Sequence, residues 1–199
     1  MSSESLVRGF AAVRGLLYAV GFVLLWWWLA IAVRPLDGRL PFRPPPALQP
    51  LGLAVAILGA LLTLSCVVVF ATRGRGTPAP FDAPRAFVPS GPYRFVRNPM
   101  YLGAAAVIAG AGLLVRSAAV VALAVGFLLF FHAFVLLYEE PTLRARFGAS
   151  YEEYTRTVHR WLPRPTARVL LYVALMLAAT YLVVSLAMGG ASTVLDDSF

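Results

Sequence analysis

Two stretches hold most of the polar side chains that could do chemistry in this chain: "GPYRFVRNPMYLG" (91–103) and "YEEPTLRARFGASYEEYTRTVHRWLPRP" (138–165). In the first, Asn98 is a good helix cap and Pro99 suits a first helical position, which predicts a helix starting there. Its free backbone N–H groups favour an anion, and Arg94 and Arg97 would reinforce that preference. The alternative is that these arginines anchor a span at headgroup level. In the second, Glu139 and Glu140 close an apolar run, where carboxylates oppose the helix dipole. They call for a cation, either the arginines of the first stretch or a cationic ligand. His132 precedes Glu139 by seven residues, so a regular helix sets the two on nearly one face. An ionisable residue within an apolar run is a functional candidate, against the alternative of a histidine hydrogen-bonded inside a bundle.

An anion site beside a cation site suits a zwitterion with an aromatic part, with Tyr93, Tyr101, Tyr151 and Tyr154 available for stacking. S-adenosylmethionine has that shape, as do other zwitterions. Methyl transfer from a sulfonium is an in-line displacement that depends on alignment of donor and acceptor. A carboxylate or thiolate acceptor needs no base. An amine or hydroxyl acceptor does, and Glu140 and His132 are the candidate catalytic residues for it.

The elements that must position these residues are apolar. Of 199 residues, 60% are hydrophobic and 13% charged, where a soluble domain carries about 25% charged residues. Apolar runs near 15–33, 51–71, 99–115, 117–138 and 168–189 are each long enough, or nearly so, to cross a bilayer. The expected fold is all-α: a polytopic integral membrane helical bundle of about five transmembrane helices, with a cofactor pocket in the C-terminal half. It forms a single membrane domain over 1–199, with two N-terminal spans in 1–71, a catalytic region in 72–167 containing a helical hairpin over 99–138, and a last span and tail in 168–199. The first run is too long and aromatic for a cleaved signal segment, and Trp26, Trp27 and Trp28 fit an interfacial belt. Gly103, Gly110 and Gly112 would allow close helix contact. The loop "RPLDGRLPFRPPPALQP" is expected to be extended and free of helix.

The formal net charge is +8 and every basic residue is arginine. The arginines gather in the gaps between apolar runs, which marks topology rather than nucleic-acid binding. With the N-terminus inside, the outer segments hold only Arg34, Arg39, Arg43 and Arg116. That asymmetry predicts a cytoplasmic N-terminus and active site with the C-terminus outside. The single cysteine, Cys66, excludes an internal disulfide and a cysteine-built metal site, and no metal is expected.

The ordered motifs resemble the isoprenylcysteine carboxyl methyltransferase family, which is itself related to the phospholipid N-methyltransferases. That family carries Gly-x-Tyr, Arg-His-Pro-x-Tyr-x-Gly, a helical hairpin, then an acidic pair followed by Leu, Phe-Gly and two tyrosines. Here "GPYRFVRNPMYLG", "EEPTLRARFGASYEEY" and "VHRWLPRP" follow that order over about residues 85–165, and "GTPAPFDAPRAFV" upstream looks like a bacterial subgroup. The resemblance implies an integral protein of the bacterial inner membrane that uses S-adenosylmethionine and takes a lipophilic acceptor from the bilayer. It implies cofactor contacts from Tyr93, Arg97, Asn98, Pro99, Met100 and Tyr101, and from the backbone of Arg85, Phe87 and Val88. It gives Glu139 the cofactor's amino group, with Glu140 beside it. Asn98 stands where the family has histidine. Val135 stands where the eukaryotic prenylcysteine enzymes have a substrate-binding arginine, and His132 is a candidate substitute. Two other readings of the scaffold are a non-catalytic membrane subunit and a sterol-reductase-like NADPH reductase.

Overall fold

The computed structural model describes residues 3–69, 72 and 89–196, with side chains over 17–69, 72 and 89–183. The described residues form helices and no strand; a single backbone bridge joins Val96 to His159. The helices are α1 (Ser3–Val33), α2 (Gln49–Val69), α3 (Pro99–Leu114), α4 (Ala118–Phe134), α5 (Glu140–Phe147), α6 (Ala149–Thr157) and α7 (Ala167–Asp196). A π-helical segment, Val135–Glu139, joins α4 to α5 without a break. Three stretches are long and apolar enough to cross a membrane: Leu17–Arg39, Pro46–Val69 and Ala118–Phe147. Two shorter apolar helices, Pro99–Leu114 and Ala167–Val183, complete an all-α membrane bundle.

The helices pack in the order α7, α2, α3, α4, α1. The closest contact is between α2 and α3, because both present glycine there. A Cβ on Gly59 would lie 2.6 Å from the Gly103 carbonyl oxygen, and one on Gly52 would lie 2.8 Å from that of Gly110. The seven-residue spacing on each helix lets both pairs meet along one seam. Gly112 faces α4 instead, where a Cβ would come 2.8 Å from the Val121 nitrogen. The α3–α4 hairpin turns through Val115–Ser117, with Arg116 in the left-handed region (φ 56°) and Ser117 capping α4 through Val120 N–H at 3.1 Å.

The proline-rich loop differs from its expected form. It contains 3-10 turns at Arg34–Arg39 and Pro46–Leu48. The physical reason is that it is tied to the hairpin: Asp37 accepts from Ala119 N–H (2.9 Å), Pro44 O from Arg116 Nε (3.1 Å), and Leu114 O from Gln49 Nε2 (2.9 Å). Two of these bonds satisfy backbone groups that a helix end leaves open, Ala119 N–H and Leu114 O. The tryptophan block also divides. Trp27 and Trp28 face outward, but Trp26 packs edge-on against buried Phe127 at 4.6 Å and docks α1 onto α4.

Candidate functional site

The two polar stretches meet at one end of the bundle. Arg97 N–H donates to His159 O at 2.9 Å, Asn98 Nδ2 to Arg160 O at 3.2 Å, and the Tyr154 hydroxyl to Tyr93 O at 2.6 Å. Helix α3 begins at Pro99, as its sequence predicts, but the Asn98 side chain does not cap it. The amide is spent on Arg160 O, so it ties the helix start to the C-terminal stretch. This is a correction to the capping role expected of it.

Glu140 lies at the centre, 3% exposed. Arg160 grips it at two points, Nε to Oε1 at 2.8 Å and Nη2 to Oε2 at 3.0 Å. Arg97 Nη1 pairs with Oε1 at 3.0 Å, and Arg144 Nη2 approaches Oε2 at 3.7 Å. Both oxygens are therefore occupied by guanidinium groups, the bidentate geometry in which Arg is strongest. Bonding to Glu140 holds Arg160 above its ordinary range. Arg97, expected to reinforce an anion site, instead points its charge at Glu140. Tyr151 is buried beside this cluster, and its phenol is pushed up to about 12, first by burial and then by the Glu140 charge.

Glu139 has a different environment. Its Oε2 accepts from the Tyr101 hydroxyl at 2.9 Å, its one hydrogen bond among the described residues. The Tyr101 ring is stacked on Phe131 at 4.3 Å, which fixes the hydroxyl in place. Tyr93 lies within electrostatic range of Glu139 and Tyr101 and beside Cys66. Burial first, then Cys66, lifts its phenol well above the ordinary tyrosine range.

Neighbouring residues on a helix project about 100° apart, which separates the two glutamates, and the π-helical segment Val135–Glu139 sets which faces they take. It inserts about one extra residue relative to an α-helix, so the face that a regular helix would give Glu139 passes to Glu140. His132 then shares a face with Glu140 rather than with Glu139, contrary to the regular-helix expectation. Its partner confirms the register: Trp161 Nε1–H donates to His132 Nδ1 at 2.9 Å, one residue beyond the arginine that holds Glu140. His132 is thereby the neutral tautomer carrying its proton on Nε2.

Of the remaining expected residues, Pro99 is fully buried, Met100 is half-buried, and Val135 is buried in the helix core. Arg85, Phe87 and Val88 lie outside the described residues. Sequence reasoning assigned no role to Arg160 or Trp161. The available signal was an Arg-Trp pair directly after a short polar helix, opposite two carboxylates that lacked a cation. Among the described residues no three His, Cys, Asp or Glu side chains form a metal-binding group.

Comparison with curated proteins finds no match. A family model described as phospholipid methyltransferase matches residues 48–150. That stretch runs from the start of α2 into α6 and contains Tyr93, Arg97, Tyr101, Glu139 and Glu140, while Arg160 and Trp161 lie beyond it. Matched over more than half its length, the chain belongs to the phospholipid methyltransferase family, a family of membrane methyltransferases.

Proposed function

We propose that the protein is an S-adenosylmethionine-dependent methyltransferase acting on a lipophilic acceptor, with motifs similar to those of the isoprenylcysteine carboxyl methyltransferases. The observation that carries this reading is the contrast between the two glutamates. Glu140 is saturated by three arginines, whereas among the described residues Glu139 accepts only from Tyr101. A carboxylate held by one phenol, with lone pairs to spare, fits the ammonium of an amino-acid head. S-adenosylmethionine, when bound, supplies a methyl group activated on a sulfonium. Glu139 would hold its amino group and Tyr101 would orient Glu139. Tyr93 and the Asn98–Tyr101 run would line the rest.

Glu140 and His132 act as positioning residues in this reading. A general base needs a free lone pair. Both oxygens of Glu140 are engaged, and His132 Nδ1 already accepts from Trp161. The acceptor therefore attacks in a form that is already nucleophilic, as a carboxylate or thiolate does. Rate then comes from alignment in a site screened from water. The arginine asymmetry supports a cytoplasmic-facing site.

The test is S-adenosylmethionine binding to the full-length protein in detergent, by calorimetry. Saturable binding that Glu139→Gln weakens by about tenfold or more supports the reading. No saturable binding, or binding indifferent to Glu139→Gln, overturns it.

A further inference from the structure

We infer that the polar end of the bundle carries a docking surface for anionic phospholipid headgroups, built from Arg94, Arg156, Arg164 and Arg168 around His159. The acids nearby are largely committed. Glu140 is held by Arg97, Arg160 and Arg144, Glu152 pairs with Arg144 at 2.9 Å, and Glu139 binds Tyr101. Arg94, Arg156 and Arg168 are exposed and have no ion-pair partner among the described residues. Against them stands the exposed Glu153.

The arginines converge through contacts that the fold supplies. Arg164 donates from Nε to His159 Nε2 and from Nη2 to Arg156 O, both at 3.3 Å, drawing 156, 159 and 164 together. The backbone bridge between Val96 and His159 brings the Arg94 segment alongside. Phe95 packs on Tyr172 at 5.2 Å, and Tyr172 lies one turn beyond Arg168 on α7. The cluster thus surrounds the start of a membrane helix, which is the depth of lipid headgroups. Leu162 stands 76% exposed between Arg160 and Arg164, an apolar tip beside positive charge. Such a segment is suited to the membrane interface, where basic clusters beside a span attract anionic lipid. Charge complementarity selects phosphate headgroups that carry net negative charge over zwitterionic ones.

This inference is independent of the methyltransferase reading. The test uses the full-length protein in nanodiscs of equal phosphatidylglycerol and phosphatidylcholine, with retained lipid identified by native mass spectrometry. The expected result is about tenfold enrichment of phosphatidylglycerol. Enrichment should fall to the bulk ratio in the Arg94→Gln/Arg156→Gln/Arg168→Gln variant. It should survive in Arg34→Gln/Arg39→Gln/Arg43→Gln, which removes the same charge from the opposite end. No enrichment in the unmodified protein overturns the inference. So does enrichment that the first variant leaves intact, or that both variants lose equally.

Discussion

Arg160 binds Glu140 through two parallel contacts, 2.8 Å to Oε1 and 3.0 Å to Oε2, across twenty residues of chain. The same arginine's carbonyl accepts from Asn98. One residue therefore joins the C-terminal stretch to both α5 and the start of α3, and Arg97 closes the triangle from the other side. The cluster fixes the positions from which Tyr101 and Glu139 project.

Glu140→Ala should accordingly be a folding mutation. It leaves Arg97 buried without its counter-charge, and removing one partner of a buried pair costs about 3–5 kcal/mol. We expect a large loss of thermal stability in detergent, whether or not a ligand is present. Arg160→Lys should also destabilise, by a smaller amount, because an ammonium cannot reproduce the two-point grip. A Glu140→Ala protein as stable as the parent, yet inactive, would restore Glu140 to a chemical role.

Glu139→Gln should behave in the opposite way. Its carboxylate has one neutral partner among the described residues, so thermal stability should change by less than about 1 kcal/mol. Affinity for S-adenosylmethionine should fall by about tenfold or more, since a hydrogen bond to a charged group is worth about 1.5–3 kcal/mol. Tyr101→Phe keeps the ring stacked on Phe131 and removes only the hydroxyl, and should weaken binding by a few-fold. Calorimetric titration of the three proteins checks the order: parent, Tyr101→Phe, Glu139→Gln.

Much of this arrangement was legible in the sequence, and the parts that were not have identifiable causes. The apolar runs, the helix start at Pro99 and the meeting of both polar stretches follow from hydropathy and turn chemistry, which are local. The glycines predicted close packing, but their partner, α2, is a long-range property that spacing on α3 cannot supply. A regular period puts His132 and Glu139 on one face, and the π-helical turn at Val135–Glu139 breaks that period. The run "VLLYE" gives no local sign of it. The capping role of Asn98 failed for a similar reason. A tertiary acceptor, Arg160 O, competes with the local N–H groups and wins.

His132→Gln tests the positioning reading directly. If imidazole were the base, kcat would fall by about a hundredfold or more. We expect kcat within a few-fold of the parent and an unchanged pH profile. Trp161→Phe removes the indole N–H while keeping an aromatic ring, and should cost about 1 kcal/mol of stability. Steady-state kinetics across pH, beside thermal unfolding, separates the two roles.

The π-helical segment offers the sharpest structural test. Leu137 is 80% exposed within it, so deleting that residue removes little packing. The deletion removes the one extra residue, so it should convert Val135–Glu139 to regular α-helix and leave Glu140 seven residues after His132, on the face it now holds. Arg97 and Arg160 would keep their partner, and thermal stability should stay close to the parent. Inserting one alanine after Leu137 is the converse change: it turns everything downstream by about 100° relative to α4. It should bring loss of ligand binding together with the stability loss of Glu140→Ala. A deletion that destabilises as much as the insertion would show that the extra residue is not what sets the face of Glu140.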